Sequence, residues 1–424
     1  MILSDKQVSE IRAGLLGNVR YFVKWLFISL AVGTVGGAAG TVFSLGVEWA
    51  TDFRGENGWT LFLMPFAGAA IVWLYQTFHE EGNRGTNMVI ESISSNETVT
   101  PATGPLIFVS TILTHLVGGS TGREGAALQL GGSIGNVFAG IIRLDEKDKK
   151  VAVMCGMSAV FSALFGTPAA AGIFPLEVVS IGVMYYAALV PCIFASYTGV
   201  GIARLAGLPG ENFPIPDVPP VTLGSAAFMV LLGILCAGVS VVFCILLHTS
   251  EKTYRRCFPN PYIRILAASA IFICLTLLAG TRAYCGGSIP LIEESVKGEA
   301  VGEAFLLKML FTAVTLGAGF KGGEIVPTLC VGAAFGSVVG NIFGFSPALC
   351  AAGGMAALFA GVTNCPVTSL ILALELFGYE GMEYYSIVIA VSFALSGYYG
   401  LYGSQKFVYS KIRTEFINRK SNES

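Results

Sequence analysis

The chain reads as an all-α polytopic membrane protein built from two inverted-topology repeats of broken and tilted helices. Three observations predict this: an apolar composition, many small residues inside the apolar runs, and sequence blocks that recur at a nearly constant offset. Of 424 residues, 54% are hydrophobic and 12% charged, with a mean hydropathy of +0.71, well outside the range of soluble globular chains. Fifty-three glycines suit helices that pack closely or break within a bilayer. The formal net charge of −2 argues against nucleic acid as a partner, because binding a phosphate backbone needs a basic face. Ten cysteines and three histidines lack ligand spacing, so the cysteines read as small core residues and no metal or cofactor is expected.

Residues 1–24 read as an amphipathic segment on the cytoplasmic surface, with Lys6, Arg12, Arg20 and Lys24 as its cations and Ile11, Leu15, Leu16 and Phe22 on an apolar face. The first repeat is expected over 25–206. It opens with a span rich in small residues from Trp25 to about Val47, and the loop Asp52 to Gly58 that follows, with only Arg54 against Asp52 and Glu56, reads as external. Leu61 to Phe78 returns. Gly82 to Met88 then breaks the apolar pattern ahead of a short helix, so free backbone N–H groups there can point at a ligand. Pro105 to Val117 is followed by Gly122-Arg123-Glu124-Gly125, a charged pair inside an apolar run from Leu106 to Ile142. A charge at mid-membrane depth costs from about 3 to well over 10 kcal/mol and therefore faces a cavity, a pathway or a partner. Glu124 is read as part of an ion or proton pathway, or else as half of a structural Arg123–Glu124 pair at a helix end.

Residues 207–220, with five prolines, read as a connector, and 221–401 as the second repeat. Lys252, Arg255, Arg256 and Arg264 surround Phe258-Pro259-Asn260-Pro261 and mark a cytoplasmic loop, so the second half starts from the side opposite to the first. Residues 402–424 read as a last helix and a basic cytoplasmic tail, with both termini in the cytoplasm. Gly85 to Glu91 aligns with Gly287 to Glu293 at an offset of 202 (287 − 85), Gly122 to Gly125 with Gly323 to Val326 at 201 (323 − 122), and Pro168 to Glu177 with Pro366 to Glu375 at 198 (366 − 168). Inverted repeats place a binding site near the midplane, where broken helices from both halves meet. Helix N-termini there carry partial positive charge and free donors, so the expected substrate is an anion.

Gly122-Arg123-Glu124-Gly125 followed by Gln129-Leu130-Gly131-Gly132 resembles the GREGP-xxQxGG signature of the CLC family of anion channels and anion/proton antiporters, with Ala126 in place of proline. The likeness extends from about Val23 to Phe407. It implies the CLC-type fold, a homodimer with one pathway per subunit in the plasma (inner) membrane, and Glu124 as a gating glutamate that carries a proton. By order and repeat, the family's GSGIP position falls on Gly85 to Val89, where Thr86 replaces the chloride-coordinating serine and Val89 the proline. Glu324 stands where chloride-type members have Gly-Gly-Ile-Phe-Ala-Pro. Both departures resemble the fluoride-transporting branch.

The internal proton-transfer glutamate of chloride antiporters aligns with Val178, which leaves Glu324 as a second proton carrier or as a salt-bridge partner of Lys321 or Arg123. Glu177 and Glu375 read as helix-end caps or dimer contacts. The implied anion site comprises Thr86, Asn87, Met88, Gly125, Ala126, Ile325 and Val326, with Tyr402 as the pathway tyrosine and Tyr398 and Tyr399 as alternatives. The reading is a fluoride/proton antiporter. A chloride/proton antiporter or chloride channel of the same fold, or a non-transporting membrane sensor or scaffold, stands against it. No enzyme constellation appears.

Overall fold

The computed structural model describes residues 5–95, 97–215 and 217–422, with side chains from Gly14 onward. The expected N-terminal cations Lys6 and Arg12, and Pro216 of the connector, lie outside the described side chains.

The first half contains α1 (Asp5–Glu56), α2 (Met64–Thr77), α3 (Thr86–Ser94), α4 (Thr103–Leu116), α5 (Glu124–Ile141), α6 (Glu146–Phe165), α7 (Pro168–Val178), the short strand β1 (Ser180–Ile181) and α8 (Leu189–Leu205). The second half repeats the series as α9 (Leu223–Cys257), α10 (Pro261–Ala279), α11 (Ile289–Val296), α12 (Ala304–Ala318), α13 (Ile325–Phe343), α14 (Pro347–Thr363), α15 (Pro366–Phe377) and α16 (Met382–Leu395). Among the described residues, six helices are long and apolar enough to cross a membrane, and others, such as α7 and α15, are shorter apolar pieces. Short helices whose ends fall inside the protein are what a CLC-type fold uses to bring N-termini to its centre.

The local reasons for these elements are legible. Proline at the first turn starts α7, α10, α14 and α15, where its missing N–H costs nothing. Asp145 caps α6 by accepting from Lys147 N and Asp148 N, and Asn260 does the same for α10. Glycine in the left-handed region closes α6 at Gly166 and α10 at Gly280. Small residues let the central helices touch backbone to backbone. A Cβ on Gly131 of α5 would lie 2.2 Å from the Gly156 carbonyl of α6, and one on Gly332 of α13 would lie 2.5 Å from that of Gly354 on α14. The same close contact is thus made once in each repeat.

Helices α7 and α15 cap each other. Glu177, near the end of α7, accepts from Val367 N at 3.0 Å and Thr368 N at 2.8 Å at the start of α15. Glu375, near the end of α15, accepts from Ala169 N and Ala170 N, both at 2.9 Å, at the start of α7. Each carboxylate satisfies two orphan donors of the other helix, which is the helix-cap alternative for these residues.

Three boundaries differ from the sequence reading. The segment from Asp5 runs into the first span without a break, and α1 continues through the expected external loop to Glu56. Among the described residues from Tyr402 onward there is no last helix. Lys406–Tyr409 forms β2 and Phe416–Lys420 forms β3, an antiparallel pair whose first strand runs parallel to β1 through Ser180↔Lys406 and Ile181↔Phe407. The alternation Lys406-Phe407-Val408-Tyr409 is a strand pattern, and Phe407 is buried. The all-α description therefore holds apart from this small sheet.

Candidate anion site

The centre of the molecule is an antiparallel bridge between equivalent positions of the two repeats. Gly122 N donates to Gly323 O at 2.6 Å, and Gly323 N to Gly122 O at 2.7 Å. Directly beyond it, α5 begins at Glu124 and α13 at Ile325, so two helix N-termini face the same region. A Cβ on Gly323 would lie 2.4 Å from Gly125 N, and one on Gly125 would lie 2.8 Å from the Cα of Gly323 and 3.0 Å from Oε2 of Glu324. No other side chain fits either position without displacing backbone.

Glu124 is buried, and its carboxylate folds back onto its own helix. Oε2 accepts from Arg123 N at 2.9 Å. It therefore occupies the position that the positive end of α5 offers to an anion. Arg123 lies beside it, with Nε 3.6 Å from Glu124 Oε1, but its terminal nitrogens turn elsewhere, to Glu48, Glu211 and Ser44 Oγ. The two sequence readings of Glu124 are thus compatible in geometry, for the pair exists and its carboxylate still faces the helix ends.

Glu324 sits at the N-cap position of α13 without a side-chain cap hydrogen bond. Among the described residues it makes no salt bridge. Lys321 instead places Nζ 4.2 Å from the Tyr75 ring centroid. The orphan donors here are Gly125 N and Ala126 N on α5, and Ile325 N and Val326 N on α13. Ala127 N is already taken by Arg123 O and Thr328 N by Glu324 O.

Thr86 begins α3, and its hydroxyl donates to Gly125 O at 3.3 Å, as does Gln129 Nε2 at 3.4 Å. Asn87 Oδ1 accepts from Ser404 N at 3.0 Å, which ties α3 to the segment carrying Tyr402. Met88 is half-buried against the core. Tyr402 lies not at a helix start but in the link between α16 and β2. It is fully buried, its hydroxyl has no hydrogen-bond partner among the described residues, and it lies within electrostatic reach of both Glu324 and Glu124. Tyr398 is engaged by Ser410 Oγ at 2.9 Å, and Tyr399 is exposed. Of the three tyrosines, Tyr402 is therefore the one that meets the site.

A vestibule of about 460 Å³ opens beside these residues, lined by Thr86, Asn87, Gln129 and Glu324 and also by Arg84, Arg255, Arg264 and Lys321. Two charged residues near the site were not singled out by the sequence reading. Glu211 of the connector pairs with Arg123. Lys308, fully buried on α12, donates to Gly286 O, Ser288 Oγ and Ser120 Oγ. A lone lysine in the apolar run Ala304 to Leu316 was the available signal for the second.

The family description "Voltage gated chloride channel" matches residues 67–397. The chain belongs to this CLC family. It is 32% identical over 398 residues, 92% of this chain and 88% of the other, to a chloride/fluoride channel protein of Pseudomonas syringae pv. tomato. It is 24% identical over 384 residues, 83% of this chain and 80% of the relative, to an H+/Cl− exchange transporter of Yersinia pseudotuberculosis. Its fold superimposes with a TM-score of 0.87 on the crystal structure of a CLC-type fluoride/proton antiporter, at 31% identity over 90% of this chain and 98% of that one. A slow cyanobacterial Cl−/H+ antiporter shares the fold at a TM-score of 0.78 and 20% identity, over 88% of this chain and 94% of that one. This CLC protein is accordingly a multi-pass membrane protein of an anion-transport family.

Proposed function

We propose that this CLC protein is a fluoride/proton antiporter that exports fluoride against inward proton movement, with Glu124 as the gate and Glu324 as a second proton-carrying group. The observation that carries this reading is the convergence of the buried Glu124 and the partly buried Glu324 on the same pair of helix N-termini, beside the Tyr402 hydroxyl, which has no partner among the described residues. Fluoride is small and strongly hydrated, so a site must replace its water with several close donors. The N–H groups of Gly125, Ala126, Ile325 and Val326 are such donors. The Tyr402 hydroxyl adds another, and the Thr86 hydroxyl can turn from Gly125 O to serve as one more. Asn87 lines the vestibule side, and Met88 packs against the core beside it.

Glu124 now occupies the α5 N-terminus, as an anion would. Protonated, it no longer competes for those donors and yields them to fluoride, and this exclusion couples the two ions. Arg255, Arg256 and Arg264 at the α9–α10 turn support a cytoplasmic vestibule and cytoplasmic termini at the plasma membrane, and the family likeness supports a homodimer.

The test is efflux from vesicles containing purified protein, read with fluoride- and chloride-selective electrodes and a proton indicator. Fluoride leaves much faster than chloride, with protons moving the opposite way, and Glu124→Gln abolishes the proton movement while the fold is kept. Equal chloride efflux would convert the reading to chloride/proton antiport. Vesicles impermeable to both anions would favour a sensor or scaffold.

A further inference from the structure

The Arg123 guanidinium is shared by three carboxylates from three parts of the chain. Nη2 lies 3.0 Å from Glu211 Oε1, Nη1 3.4 Å from Glu48 Oε1, and Nε 3.6 Å from Glu124 Oε1. The side chains form a gradient of exposure: 47% for Glu48, 22% for Glu211 and 3% for Glu124. One cation cannot neutralise three anions. Its closest contact is given to Glu211, and its longest to the gate.

Glu211 is delivered by fixed backbone. Its N–H donates to Phe165 O at 2.9 Å, and Phe213 N, two residues on, donates to Leu376 O at 2.8 Å. Gly210 packs onto Gly166 so closely that a Cβ at 166 would lie 2.7 Å from the Gly210 Cα. The connector between the repeats is thus seated on the end of α6, with one carboxylate aimed at Arg123. Burial pushes the Glu211 carboxyl upward from its ordinary value, the Arg123 charge opposes this, and Glu48 and Glu293 reinforce it.

We propose that Glu211 is a positioning residue for the gate. It competes with Glu124 for Arg123 and so sets how readily the Glu124 carboxylate takes up a proton and leaves the helix end. This rests on the reading of Glu124 as the proton-carrying gate. While Glu211 is ionised, the guanidinium is drawn toward the connector and holds Glu124 only through a long Nε contact. Without that charge, Arg123 can close on Glu124 and hold its ionised form in place. Beyond these side chains, the charged or titratable groups facing the assembly are His115 on α4, Glu293 on α11, Glu324 at the start of α13 and Tyr402.

The experiment is proton-coupled fluoride exchange in vesicles, measured against the pH of the compartment facing the connector. For Glu211→Gln, the pH of half-maximal exchange moves about one unit lower, because a gate held more tightly by Arg123 needs more acid to be released. Glu211→Asp, which keeps the charge, retains most of the native midpoint, and Glu48→Gln, at the more exposed end, moves it the same way by less. A Glu211→Gln profile that falls equally at every pH with an unmoved midpoint overturns the inference, leaving Glu211 a structural tie of the connector. Should Glu211→Gln fail to fold, Glu48→Gln decides in its place, and an unmoved midpoint there overturns the inference as well. Glu124→Gln measured in parallel separates the two proposals. If it still moves protons, the gate reading fails. If it does not and the Glu211→Gln midpoint is static, only the present inference fails.

Discussion

At the scale of single residues, the same physical rule applies to three groups and gives three outcomes. A polar or charged side chain in an apolar run must find partners. Glu124 finds the Arg123 N–H at the helix start, and Lys308 finds oxygens. Tyr402 has no hydroxyl partner among the described residues. Lys308 Nζ donates at 2.7 Å to Gly286 O, 2.9 Å to Ser288 Oγ, 3.0 Å to Ser120 Oγ and 3.3 Å to Tyr284 O. It thereby joins the links before α5 and α11, and among the described residues it has no carboxylate partner. Lys308→Met keeps the bulk but strands these acceptors. Ser120 retains its contact with Thr312 Oγ1, which limits the loss, so the expected destabilisation is about 1–3 kcal/mol. It is read as a lower melting temperature in detergent, and an unchanged melting curve would mean the hydroxyls re-pair without help. Tyr402→Phe makes the opposite prediction. Its hydroxyl has no protein partner to lose, so stability is retained. Fluoride affinity falls roughly 10- to 100-fold, as expected for one hydrogen bond to a charged ligand worth about 1.5–3 kcal/mol, and titration calorimetry measures it.

At the scale of elements, the reciprocal caps of α7 and α15 explain why two glutamates recur at matching places in the repeats. Each supplies negative charge to the positive end of its partner helix, so the two short helices are held by their termini as well as by side-chain packing. Glu375→Gln leaves one amide oxygen to serve both Ala169 N and Ala170 N. The expected cost is about 1–2 kcal/mol, seen as a lower melting temperature, with fluoride selectivity unchanged because these caps do not touch the site. The carboxy-terminal hairpin makes a pH prediction of its own. Lys411, in its turn, donates to Phe393 O and Ser396 Oγ and sits 4.5 Å from the Phe393 ring centroid. Burial pushes its ammonium down to about 7 from an ordinary 10.5. Between those values the unfolded chain binds more protons than the folded one, so this group makes stability rise with pH across that window and levels off below it, where both states are protonated. Lys411→Met removes that slope from a plot of melting temperature against pH. This hairpin was the least legible element in the sequence. Tyr402, Lys406 and Lys411 look like a helix flank and tail, and the signal for a strand lies in four alternating residues whose partner, Ser180–Ile181, is more than two hundred positions away.

At the scale of the whole molecule, the pseudo-symmetry was legible and its broken places were not. The offset of 201 between Gly122 and Gly323 is the bridge at the molecular centre, and it sets α5 and α13 at equivalent starts because both repeats use the same turn chemistry. What alignment of the halves could not supply is where equivalent positions differ in charge. Arg123 stands opposite Glu324, and Ile107, which lines the vestibule, stands opposite the buried Lys308. The two sides of the site therefore differ electrically although the backbone is nearly repeated, and the vestibule side has a consequence for rate. Arg84, Arg255, Arg264 and Lys321 line the vestibule, and Glu251 and Glu324 are the carboxylates among its lining residues. Arg84 is drawn off by Glu91 and Glu97, and Arg255 by Glu251. Among the described residues Arg264 makes no salt bridge; its Nε donates to Ala318 O, and the residue lines the cavity. A concave site lined by one sign of charge raises the local concentration of the opposite ion, and the effect fades as the Debye length shrinks from about 30 Å at 0.01 M to about 10 Å at 0.1 M salt. At fluoride concentrations below saturation, raising an inert potassium salt across that range should lower fluoride entry from the vestibule side several-fold while leaving the maximal rate unchanged. Arg264→Gln should reproduce the high-salt rate at low salt and flatten the salt dependence. If Arg264→Gln instead lowers the maximal rate at every ionic strength, the guanidinium acts in the transport step or in holding the end of α12, and steering is not its role.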